Sequence, residues 1–160
     1  MNIFAIDYVL QEQKESVMAK LSEVELMQLV KGGETNTVEF KVAAPRATEM
    51  AERLCGMANA QGGVVIIGIK DSTHEILGVP DNRISETLDV ISRAVRQMIK
   101  PELVLDPPEP EIYVVAGKKL VVAAVKPSIM ILRFQTKREW LVRCKMEHEE
   151  KDTKAIYSRL

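Results

Sequence analysis

Asn59-Ala60-Gln61-Gly62-Gly63-Val64-Val65-Ile66-Ile67-Gly68-Ile69-Lys70-Asp71 is the stretch on which the fold turns. Val64 to Ile69 is apolar at nearly every position, the pattern of a central strand covered on both faces. The glycine pair before it terminates a helix predicted to be capped by Thr48, on which Met50, Leu54, Met57 and Ala58 recur at i, i+4, i+7 and i+8. Upstream, Val38, Phe40 and Val42 alternate with Glu39 and Lys41, the period of a half-buried strand with its charges on the open face. Farther upstream, Ser22 and Glu25 form a capping-box pattern ahead of an apolar helical stripe that stops at Gly32-Gly33.

Downstream, Ser72 to Glu75 reads as a turn into a short strand, Ile76 to Val79. Ser85 caps a third helix with Leu88, Ile91, Val95 and Met98 as its buried stripe, closed by Pro101. Ile112–Val115 and Leu120–Val125, separated by Ala116-Gly117-Lys118-Lys119, predict a β-hairpin with the two lysines at its tip, and Trp140–Cys144 a further strand. The order predicts an α+β fold, one mixed β-sheet with helices packed on it in two layers. Residues 22–146 form the domain, 1–21 an N-terminal segment with helical character, and 147–160 a tail or short helix.

The chain has 160 residues, 46% hydrophobic and 28% charged, which suits one globular domain with a real core. Cys55 and Cys144 have no CxxC partner or nearby metal-spaced histidines, so buried thiols are expected rather than a zinc site. Asp7 interrupts the first apolar residues and no base precedes them, which argues against a secretory signal; with no run of membrane-spanning length, a cytoplasmic protein is expected. Net charge is −1, but it is unevenly spread. Ile112 to Met146 carries eight bases against one acid, whereas residues 101–111 carry four acids and no base. Such a segment suits a localised phosphate-binding face, or the solvated outer surface of strands and turns.

The ordered motifs carry a further reading. A "GEs…EFK" opening is matched by Gly33-Glu34 and Glu39-Phe40-Lys41, an "AnaxGG" helix exit by Ala58 to Gly63, and a "GG-apolar-IGVxD…xxGv" strand by Gly62 to Asp71 and Gly78-Val79. Together they resemble the Schlafen AlbA-type DNA-binding domain over roughly residues 22 to 145. The resemblance implies a nucleic-acid-binding module of transcriptional-regulator type and a homodimer, to which the amphipathic Ile6, Val9, Leu10 and Val17 would contribute. Phosphate contacts are expected from Lys118, Lys119, Arg133, Lys137, Arg138 and Arg143, and from Arg93, Arg96 and Lys100, which recur at i, i+3 and i+7 on the third helix. DNA and RNA both fit such contacts, and no cofactor is needed for them.

In ribonucleases of the Schlafen group, an acid of the "GE" element, the acid of "EFK" and an aspartate after the "IGV" strand bind metal. The matching residues are Glu34, Glu39 and Asp71. The alternative function is therefore a Mg²⁺- or Mn²⁺-dependent endoribonuclease with these three as catalytic and metal-binding groups. Where relatives often carry two acids in succession, this chain has Lys70-Asp71, which leaves the third ligand open. The same acids also have structural readings: Glu34 after a helix end, Glu39 paired with Lys41, and Asp71 in a turn. ATP binding is a lesser alternative, because Gly62-Gly63 leads from a helix into a strand, opposite to a phosphate loop, and no GxxxxGK[ST] is present. A protein-interaction domain is another. Asn59 and Gln61 are expected to cap the helix end, and Tyr113, Phe134 and Trp140 to be core rather than stacking platforms.

Overall fold

The computed structural model describes residues 20–134 and the backbone of 135 and 141–143. Helix α1 spans Glu23–Gly32, and strand β1 spans Val38–Lys41. Helix α2 (Ala47–Ala58) leads through Gly62 into β2 (Gly63–Ile67). A small hairpin follows, β3 (Ile69–Lys70) and β4 (Glu75–Ile76), then α3 (Asp81–Arg93). A π-helical turn, Ala94–Met98, delivers the chain into β5 (Ile99–Lys100). The remaining strands are β6 (Glu111–Val115), β7 (Lys118–Val125), β8 (Arg133–Gln135) and β9 (Leu141–Arg143).

The main sheet has the order β1-β2-β7-β6, with β1 and β2 parallel and the other pairs antiparallel. Its two central strands are buried on both faces, as the continuous apolar run predicts. Val65 and Ile67 of β2 and Val121, Ala123 and Val125 of β7 pack under α2 and α3. Val64 and Ile66, with Leu120, Val122 and Ala124, face the other way, onto Leu26 and Val30 of α1 and onto Phe40. The fold is the expected α+β arrangement with helices on a mixed sheet, and α1 adds cover on the second face.

Several boundaries differ from the sequence reading. Arg46 and Pro80 precede α2 and α3, so Thr48 and Ser85 lie inside their helices and cap neither. The capping box at Ser22 is as predicted, with the Glu25 amide donating to the Ser22 hydroxyl at 3.2 Å and the Ser22 amide to Glu25 at 2.7 Å. The β6–β7 connection is the two-residue turn Ala116-Gly117, both at positive φ, as a tight right-twisted hairpin requires. Lys118 and Lys119 are thus the first residues of β7, not the hairpin tip. The π turn also breaks the expected helical face, because Lys100 has left the helix for β5. A second sheet of order β5-β8-β9 lies beside the first, its Ile99 and Phe134 buried in the core beneath α2 and α3. Among the described residues no helix is long and apolar enough to cross a membrane.

Candidate nucleic-acid interface

The acids come first because they separate the two functional classes. Val64 and Gly68 donate to the carbonyls of Thr37 and Lys41. Odd-numbered residues of β1 therefore turn their backbone toward β2, and the Phe40 amide points to the open sheet edge. Glu34 Oε1 accepts that amide at 2.7 Å, so its carboxylate closes an edge that would otherwise need water. Glu39 does not lie on an open face as expected. It is 8% exposed beneath α2, with Lys41 Nζ at 2.7 Å and Arg53 Nη2 at 3.3 Å. Asp71 is exposed in the turn between β3 and β4.

Among the described residues no three His, Cys, Asp or Glu side chains gather as a metal-holding group. A divalent cation would have to compete with the Lys41 ammonium and the Arg53 guanidinium at Glu39 and with a backbone amide at Glu34. The arrangement present does not fit the metal of the ribonuclease alternative, and no reaction step is derived through one. The groove beside Glu39, about 520 Å³, is also lined by Glu49, Glu52 and Arg53, an acidic surrounding that repels phosphate.

Lys119 pairs with Asp81 at 2.8 Å, Lys118 donates to the Ile76 carbonyl at 2.7 Å, and Arg93 pairs with Asp89 at 2.9 Å. Arg96 lies 3.9 Å from Glu102. The Arg93–Asp89 pair lies within α3, and the other three contacts join separate parts of the chain. Lys100, which also donates to the Arg96 carbonyl at 3.5 Å, Arg133 and Arg143 are set by strand register, with Lys100 opposite Arg133 and Arg133 opposite Arg143 across β5, β8 and β9. Residues directly opposite share one face of a sheet. The preceding pair, Ile99 with Phe134, is buried, so the cationic positions occupy the outer face. Like charges directly opposite are mutually unfavourable, and an anion laid along the row relieves that repulsion. Lys100 is exposed and Arg133 half-buried. Lys137 and Arg138, between β8 and β9 in sequence, lie outside the described residues, as do Trp140, Cys144 and the N-terminal segment assigned to a dimer contact.

Asn59 is the C-cap residue of α2, as expected, and its side chain also reaches across to the strand entry, donating Nδ2 to the Leu132 carbonyl at 2.9 Å and accepting the Leu132 amide on Oδ1 at 2.8 Å. The Ser128 amide donates to Ala58 O at 2.6 Å. Gly62, at φ 78, lets the helix exit press against β7, where an added Cβ would meet the Val125 carbonyl at 2.6 Å. The Asn-x-x-Gly-Gly exit is thus a clamp for the segment that feeds β8. That segment carries Ile129, Met130 and Ile131, exposed and unassigned by any periodicity. Three successive apolar residues after Pro127-Ser128 were the available signal. Tyr113 and Phe134 are buried, as expected of core aromatics.

Among solved structures, the chain is similar to the DIP2311 protein from Corynebacterium diphtheriae, at 16% identity and a TM-score of 0.50, covering 84% of this chain. This chain spans 26% of that protein, so the likeness is one of fold, over about a quarter of a longer molecule. No curated protein matches. The model of the family described as Schlafen, AlbA_2 matches residues 34–155, which contain the Glu34 edge contact, the Asn59 clamp and all three strands of the cationic sheet. The chain belongs to the Schlafen AlbA_2 family.

Proposed function

We propose that this chain is a nucleic-acid-binding module that grips phosphates along the Lys100, Arg133 and Arg143 row. The cross-strand register carries the reading, since it aligns three cationic positions next to the buried pair Ile99 and Phe134 in one small sheet. The hairpin lysines are not part of this row, because both lie on β7 in the main sheet. Contacts of this kind neutralise charge and release counterions, so binding is strongly salt-dependent and weakly sequence-dependent. DNA is the ligand that the family resemblance favours, in a protein of transcriptional-regulator type.

The test is a titration against unrelated duplexes, single strands and a structured RNA at several salt concentrations, with the parent chain and a Lys100→Gln/Arg133→Gln variant. Affinity should fall about equally for all duplexes. Equal affinity in parent and variant would remove the row from the interface.

A further inference from the structure

The segment between β7 and β8 is apolar where a loop is ordinarily polar. Ile129 is 101% exposed, Met130 58% and Ile131 37%. Surface loops favour Gly, Asn, Asp and Ser, and a run of three exposed large apolar residues calls for a ligand. The segment is tied at both ends. At its start the Ser128 amide is bonded to the α2 terminus, and at its end Leu132 is held through both backbone groups by Asn59. Within the tip, the Ser128 hydroxyl donates to the Met130 carbonyl at 2.7 Å and accepts the Met130 amide at 3.2 Å. The fold therefore holds an apolar projection away from its own core, pre-shaped, so little ordering is needed when it meets a partner.

We propose that Ile129 and Met130 form a wedge that inserts between stacked bases of the nucleic acid whose phosphates lie on the Lys100–Arg133–Arg143 row. The inference rests on the phosphate-binding reading. The tip runs directly into the row: Arg133 follows Ile131 by two residues, so whatever covers the tip also meets the cations. A base stack bordered by a phosphate strand offers both surfaces, and Ile and Met are side chains suited to prising a base step apart. The row is also linear, two strand spacings or roughly 10 Å long. That is about the axial rise of three nucleotides of one strand. An anionic lipid surface would equally supply charge and apolar depth, but it has no linear order for a row to follow.

The experiment uses the full chain, duplex DNA carrying 2-aminopurine at several steps, and an Ile129→Ser/Met130→Ser variant; Ile129 is fully exposed, so folding is not at issue. The parent should brighten the 2-aminopurine by unstacking it. The variant should bind about tenfold more weakly, the loss expected from withdrawing part of two apolar side chains from burial, without brightening and with an unchanged salt slope. Parent-like affinity and fluorescence in the variant would overturn the wedge, while the phosphate row would stand if Lys100→Gln/Arg133→Gln still weakened binding. A parent that binds no nucleic acid would overturn both. If instead the variant loses binding to phosphatidylserine-containing vesicles and keeps its DNA affinity, the tip belongs to a membrane contact and the wedge is refuted.

Discussion

Replacing Asn59 by alanine should be among the most damaging single polar substitutions in this domain. The Asn59 side chain satisfies both the amide and the carbonyl of Leu132, at 2.8 and 2.9 Å, next to a leucine that is 3% exposed. Each bond has a net worth of about 1 kcal/mol, and each backbone group left without a partner costs about 1–3 kcal/mol where water cannot reach it. Partial access of water at the loop lowers the sum, so about 2 kcal/mol is expected overall. For a chain of this size that corresponds to a fall in Tm of roughly 4–8 °C. Urea unfolding should show a lower midpoint at constant m-value, and hydrogen exchange should show lost protection at the Leu132 amide. Asn59→Asp sharpens the test: it keeps an acceptor for the Leu132 amide but sets a carboxylate oxygen against the Leu132 carbonyl, so it should rescue little. A loss below about 0.5 kcal/mol in Asn59→Ala, with Leu132 protection intact, would refute the clamp.

Glu34→Ala should destabilise by about 1–2 kcal/mol, because the Phe40 amide loses a charged acceptor, whereas Glu34→Gln should retain most of the stability; urea midpoints of the two variants check this. Glu39→Gln removes the charge between Lys41 and Arg53 and should cost about 1–2 kcal/mol, with both cations partly solvated. Incubating structured RNA with the parent and Mn²⁺ should give no cleavage; chelator-sensitive products that vanish in Glu39→Ala would reinstate the ribonuclease. Burial, and then the Glu111 carboxylate that accepts its hydroxyl at 2.6 Å, push the Tyr113 phenol well above its ordinary value. A raised value means that the folded state favours the protonated phenol. Its stabilising contribution is whole below the unfolded value near 10 and declines as pH rises above it. Stability should therefore drop above pH 10 more steeply in the parent than in Tyr113→Phe, as measured by unfolding across pH 9–12.

The central sheet was legible because periodicity reports burial directly. Val64 to Ile67 could only be covered on both sides, and Val38 and Phe40 only on one. The Ser22 capping box was equally local, a matter of two residues three apart. What escaped reading was long-range. Glu39 looks like the open face of a strand until α2 lays Arg53 over it. Lys100 looks helical until a π turn releases it into β5, and its neighbour Arg133 is then supplied by a strand thirty-odd residues later. Asn59 is the helix cap that it reads as, but its side chain's partner, Leu132, is 73 residues away and leaves no local signal. The family motifs located the acids and the helix exit, but cross-strand register decides which charges become neighbours, and no local pattern encodes it.

The account depends most directly on the salt dependence of duplex binding. For the parent, Lys100→Gln/Arg133→Gln, and a Lys119→Gln control whose lysine is held by Asp81, the slope of log Kobs against log salt should be measured on two unrelated duplexes. The double variant should lose roughly 1.8 from the slope on both sequences, about 0.9 for each phosphate contact removed, while the control stays close to the parent. A double variant with the parent's slope, or a control that loses as much, would contradict the assignment of phosphate binding to the Lys100–Arg133–Arg143 row.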